Sequence, residues 1–208
     1  MKHPTSRLLH SYWDRLRGER AAPERAEIEP GEIRNLLADS LILEIDLPAR
    51  SAALRLAGTR VCALFGRELK GESFAGLWGA EPAADPWRLI EIVAGDTVGV
   101  VAGLRGATGR GETVDLELLL LPLRHRGRTQ SRVLGSLSPI AIPGWLGLRP
   151  VETLSATTLR VLSDWPARGA EAPAAERAGG LPAGLPLPAN DSVPLRRGHL
   201  LVHRGGRP

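Results

Sequence analysis

Gly58-Thr59-Arg60-Val61-Cys62-Ala63-Leu64-Phe65-Gly66-Arg67-Glu68-Leu69 turns a strand into a helix, and its flanks reveal the fold class. Gly58 lets the preceding strand bend sharply into Thr59, a good helix N-cap. Val61, Cys62, Leu64 and Phe65 then form an apolar helical face, with Leu64 and Phe65 plugging a core. Gly66 takes a left-handed conformation that ends the helix.

Upstream, Ser40–Asp46 and Ala53–Ala57 read as two strands around a turn at Pro48–Ser51, a hairpin. Pro30 opens a short helix through Leu37, a fitting first-turn residue. Downstream, Glu68–Trp78 is a second short helical piece. Asp85 caps a third, with Pro86 in its first turn and Trp87, Ile90 and Val93 on one face until Gly95. Thr97–Leu104, Thr113–Arg124 and Arg132–Ser138 follow as strands of a meander, and Thr157–Leu162 is a further strand candidate. In Thr113–Arg124, Val114, Leu116, Leu118 and Leu120 alternate with Asp115 and Glu117; beyond these the strand is apolar on both faces.

Two strands, a run of short helices, then three strands imply an α+β fold. It is a five-stranded antiparallel sheet with short helices on one face. An N-terminal amphipathic helix precedes it, its stripe formed by Leu8, Leu9, Tyr12, Trp13 and Leu16. The expected organisation is a helical cap over 1–37, a core over 38–165 and a mostly disordered Pro/Ala/Gly-rich basic tail over 166–208.

The charge follows that division. Residues 1–165 carry 21 Lys and Arg against 20 Asp and Glu, whereas 166–208 carry six arginines against three acids. The body is nearly neutral, which argues against nucleic acid as the partner. Of the 27 basic residues, 25 are arginine, a bias that also suits a GC-rich genome. One cysteine excludes an internal disulfide and a multi-cysteine zinc site. No apolar run reaches the roughly 18 residues of a membrane span, and the first twenty residues lack signal-peptide character. The expectation is a cytoplasmic protein.

The local wording adds a resemblance. Tyr12-Trp13-Asp14-Arg15-Leu16-Arg17, Leu36-Leu37, the Gly58–Leu69 segment with Gly71, Leu119–Leu123 with Pro122, and Leu134-Gly135 resemble a bacterial family of single-domain PAS proteins, long classed as a domain of unknown function. The resemblance spans about residues 8–162. It implies a cytoplasmic sensory or regulatory protein, and it carries over no catalytic motif.

Catalytic chemistry has little to stand on in the sequence. Four of the five histidines (His3, His10, His199 and His203) lie in terminal segments, and His125 sits at a hairpin turn between Arg124 and Arg126. Residues 59–94 contain no histidine for an axial haem ligand. Cys62 lacks the neighbours of a flavin-photochemistry cysteine and reads as a small buried apolar residue. Gly106–Gly111 joins two strands and reads as a hairpin loop rather than a phosphate cradle. Asp115 and Glu117 share what reads as a solvated sheet face.

The remaining candidate site is the interior. Leu43, Ile45, Val100, Leu118 and Leu120 from the sheet face Cys62, Phe65, Phe74, Trp78, Trp87, Ile90 and Val93 from the helices. If hollow, so apolar a lining suits a small apolar or amphipathic ligand; no other cofactor is evident, and no metal is expected. The helix stripe Leu8, Leu9, Tyr12, Trp13 and Leu16 is the expected interface, toward a second copy in a homodimer or a signalling partner. The sequence thus points to a non-enzymatic regulatory protein working through protein–protein contact, ligand-modulated or constitutive. The alternative is a constitutive dimerisation or scaffold module with a filled core.

Overall fold

The computed structural model describes residues 1–79 and 86–162, with the backbone alone for 195–197 and 200–204. Helix α1 spans Pro4–Arg17; His3 caps it by accepting the Thr5 N–H at 3.2 Å, and Gly18 ends it at φ 55°. Strands β1 (Ser40–Asp46) and β2 (Ser51–Ala57) form the expected hairpin. Helix α2 is Thr59–Phe65, and α3 is Pro86–Ile90, widening into a π-turn over Glu91–Gly95. Strands β3 (Gly99–Ala107), β4 (Thr113–His125), β5 (Arg128–Pro139) and β6 (Thr153–Leu162) complete the meander. Short strands β7 (Leu195–Arg197) and β8 (Leu200–Arg204) lie beyond.

The order across the sheet is β2-β1-β5-β4-β3-β6-β8-β7. The pairings through β6 are antiparallel, as expected, but the count exceeds five. Strand β6 pairs along the whole of β3, beginning at Thr153, where a polar Thr-Leu-Ser-Ala start hid it from periodicity. Strand β8 joins β6 in parallel, within the tail expected to be mostly disordered. Composition reports whether a segment can build its own core, not whether an existing sheet edge accepts it. The rest of that tail, 166–194, 198–199 and 205–208, lies outside the described residues, as do the last residues of the expected core, 163–165.

The helical details also shift. The helix expected from Pro30 to Leu37 is a chain of turns ending in one 3-10 turn at Leu37–Asp39. Eight residues are too few to sustain a helix without packing that favours it, and here Ile33 and Leu36 are drawn onto the sheet instead. The cap of α2 is Gly58, not Thr59. Gly58 has an ordinary φ of −70°; its requirement is space, since a Cβ there would lie 2.1 Å from the Leu37 carbonyl oxygen and 2.4 Å from that of Ala38. Gly66 is left-handed as expected, at φ 63°. Asp85, the expected cap of α3, lies outside the described residues.

Both sheet faces are covered, and each cover makes its own core. On the inner face α2, the Leu69–Trp78 segment and α3 pack on Leu43, Val100, Leu118 and Leu120. Of the helical piece expected over Glu68–Trp78 only a 3-10 turn at Ala75–Leu77 forms, because the Gly71 and Phe74 N–H groups donate to β2 instead of closing helical turns. This helical layer also ties the sheet edges: Phe74 N–H donates to Ala52 on β2 at 2.8 Å, and Gly79 N–H to Leu154 on β6 at 3.2 Å. On the outer face Leu9, Tyr12 and Trp13 of α1 pack with Ile28, Ile33 and Leu36 over Leu119, Leu121, Leu123 and Leu134. Strand β4 therefore sends Leu118 and Leu120 to one core and Leu119 and Leu121 to the other. That accounts for its run of leucines, since a strand buried on both faces needs no polar alternation.

Candidate functional site

The inner core is where the sequence placed a candidate ligand site, and the structure gathers the residues named for it into one cluster. Leu43, Val100, Leu118, Leu120, Ile90 and Val93 are at most 1% exposed; Ile45, Phe65, Phe74, Trp78 and Trp87 are buried as well. Cys62 sits at the cluster's margin, half-buried. Its thiol lies 3.8 Å from the Ala57 carbonyl oxygen and 3.6 Å from Glu68. Burial pushes the Cys62 thiol pKa up, and the Glu68 carboxylate pushes the same way. Both effects disfavour the thiolate, the reactive form of a cysteine.

One polar atom in this interior stands out. The Trp78 indole N–H is buried and meets no hydrogen-bond acceptor among the described residues. The ring itself is held, edge-on to Phe74 with centroids 5.8 Å apart. A buried donor without a partner costs about 1–3 kcal/mol, so an acceptor brought next to it would be bound favourably.

The expected interface residues are placed differently. Leu9, Tyr12 and Trp13 are buried, and Leu16 is partly buried, all against the chain's own sheet. Only Leu8 of that stripe is exposed, at 58%. Two polar tips anchor the seat: Trp13 Nε1–H donates to the Pro122 carbonyl at 2.8 Å, and Tyr12 Oη accepts the Glu29 N–H at 2.8 Å. The stripe is thus taken up in cis. The physical reason is that β4 and β5, about a hundred positions further along the chain, present an equally apolar outer face.

Glu117 also departs from its reading as solvated. Asp115 is exposed and pairs with Arg105 at 3.2 Å, but Glu117 is only 4% exposed. Its carboxylate accepts the N–H of Lys2 at 2.6 Å and of His3 at 2.9 Å. Burial raises its pKa, yet these donors outweigh burial, and the carboxyl is held below the usual range. The Ser6 hydroxyl beside it acts in the same direction, though it completes no hydrogen bond. No sequence signal distinguished Glu117 from Asp115, because what buries it is the start of the chain, more than a hundred residues away.

Two further surface clefts are formed by described residues. One, of about 650 Å³, lies between β1, β2 and the β4–β5 hairpin end. The other, of about 180 Å³, lies beside the Asp39–Arg60 ion pair and Ile142. Among the described residues no group of three His, Cys, Asp or Glu is placed to hold a metal. No helix among them is long and apolar enough to cross a membrane.

Comparison with protein families adds the deciding observation: the model of the PAS domain matches residues 1–138, from α1 to the end of β5. The chain belongs to the PAS-domain family. In this PAS-domain protein β6 lies outside the matched span, although the antiparallel sheet continues through it. Solved structures of light-oxygen-voltage (LOV) domains are similar at low identity. The Rhodobacter sphaeroides LOV protein is 19% identical with a TM-score of 0.43, over 55% of this chain and 68% of that one. The dark structure of the Aureochrome1 LOV domain is 16% identical with a TM-score of 0.42, over 59% and 88%. An RNA-binding light-oxygen-voltage receptor is 18% identical with a TM-score of 0.42, over 57% and 36%. A search of curated proteins finds no match.

Proposed function

We propose that this PAS-domain protein is a non-enzymatic sensory or regulatory module of the cytoplasm that acts by protein–protein contact, with α1 as the element a signal releases. The observation that carries this reading is the shared sheet. Alternate residues of β4 belong to opposite cores, so repacking the inner core displaces the outer seat of α1. Packed cores resist continuous deformation and pass strain on. A released α1 would offer Leu9, Tyr12 and Trp13 to a second copy or a signalling partner. A ligand drives this only as far as its affinities for the docked and released states differ.

The unpartnered Trp78 N–H favours the ligand-modulated form over a constitutive scaffold with a filled core. The ligand in this reading is small and mostly apolar, with one acceptor for the indole. Native mass spectrometry of freshly purified protein tests that form; a co-purifying small molecule supports it, and its consistent absence favours the constitutive scaffold. The coupling itself is tested by changing Leu120 to Ala while following the Trp13 indole N–H resonance and self-association. A shifted Trp13 signal with altered self-association is expected. An unperturbed signal and an unchanged oligomeric state would overturn the proposal.

A further inference from the structure

The larger of these two clefts lies on the outer face, away from the inner core, and its chemistry is of another kind. Arg25, Arg55, Lys70 and Arg126 line it, and none of the four forms an ion pair with a described residue. Arg132 joins them from β5, held in place by Glu44 at 2.8 Å. Residues 1–165 net only one positive charge. Four uncompensated cations in a single cleft therefore leave the remainder of the body net negative. This is a localised positive field, not a general basicity.

Two backbone features build the cleft. The β1–β2 pairing slips between Ile42 and Leu43, which face Leu56 and Leu54 and leave Arg55 as an extra residue. Such a bulge re-aims side chains, and here it brings Leu56 round beside Arg55 onto the cleft side, where Leu56 is 42% exposed. At the opposite wall, His125 pairs with Arg128 across a two-residue loop, Arg126-Gly127, with both residues left-handed (φ 52° and 77°). That turn type favours Asn-Gly. An arginine there accepts backbone strain while its side chain lines the cleft.

We propose that this cleft binds a small phosphate-bearing molecule of about nucleotide size. Guanidinium groups match phosphate oxygens in a planar, two-pronged fashion. The floor, buried Ile42 and half-exposed Leu56, suits a flat, less polar body attached to the phosphates. The volume of about 650 Å³ is within the range of small-molecule sites. The net-negative surroundings favour a compact anion over a polymer, which needs a long positive track.

Calorimetric titration of the full chain with ATP, and separately with inorganic pyrophosphate, tests the assignment. ATP is expected to bind saturably and more tightly than pyrophosphate, because pyrophosphate leaves the floor empty. Arg55→Ala and Arg126→Asn are each expected to weaken ATP binding about tenfold or more. Arg126→Asn also creates the preferred Asn-Gly turn, so its melting temperature should stay level or rise, and a loss of affinity then is not a loss of fold. Both variants keep every arginine of the C-terminal region, so adventitious binding there would be unaffected. Unchanged affinity in both variants overturns the proposal, as does a failure to bind ATP at about 1 mM. Binding of single-stranded RNA or anionic vesicles through these arginines, with ATP inert, overturns it too. Pyrophosphate binding as tightly as ATP removes the role given to Ile42 and Leu56.

Discussion

Replacing Glu117 with glutamine takes a buried negative charge from beneath the first residues of the chain. In the native protein its two oxygens face the N–H groups of Lys2 and His3, at 2.6 and 2.9 Å. Hydrogen bonds to a charged acceptor contribute about 1.5–3 kcal/mol each. Glutamine keeps one oxygen, but its amide NH2 must then point at the other N–H donor. One bond is lost and the other weakened, while relief of the buried charge returns part of that sum. The net expectation is a loss of about 2 kcal/mol at pH 7. For a domain of this size that lowers the melting temperature by roughly 4–8 °C.

The sign of the pH dependence follows from the direction of the shift. Glu117 is held below its unfolded pKa of about 4.3. Its contribution is therefore full above that value and disappears as the pH falls through the lower, folded value. Urea unfolding of both proteins between about pH 3 and 7 should show the wild-type advantage at neutral pH shrinking in acid. Amide exchange at Lys2 and His3 should quicken in E117Q. A difference below about 0.5 kcal/mol at pH 7, or one that persists undiminished in acid, would show that this carboxylate does not latch the chain's start.

Trp13→Ala removes a buried ring and its bond to the Pro122 carbonyl, and chemical denaturation should show a loss of about 3–5 kcal/mol; a loss below about 1 kcal/mol would mean α1 is not seated in cis. Gly58→Ala places a methyl into the Leu37 and Ala38 carbonyls, with an expected loss of about 3 kcal/mol or more by thermal unfolding. A near-neutral result would contradict that close approach. Trp78→Phe keeps an aromatic ring and deletes the orphan N–H, so stability should stay within about 1 kcal/mol of wild type or rise. A loss above about 2 kcal/mol, more than the smaller ring's cavity accounts for, would mean the indole already has a partner.

The inner layer was the more legible half. Strands β1 to β5, the glycine ends of α2 and the pooled apolar residues from Leu43 to Val93 follow from short-range periodicity, which a strand buried on one face or a short amphipathic helix imposes directly. The leucines of β4 beyond Glu117 even signalled two covered faces. The helix expected over Pro30–Leu37 does not form because its two apolar anchors, Ile33 and Leu36, serve the sheet rather than a helical stripe.

Alternation of apolar and polar side chains, and glycines where the chain turns or passes close to itself, were sufficient for this sequence to determine its class of fold and the greasy character of its interior. Where the stripe of α1 lands, why Glu117 is buried while Asp115 is not, and which arginines share a cleft were decided by contacts between residues tens to more than a hundred positions apart. Linear spacing carries a helix's or strand's period but not which distant surface will meet it, and that meeting sets which side chains are buried, paired or left open.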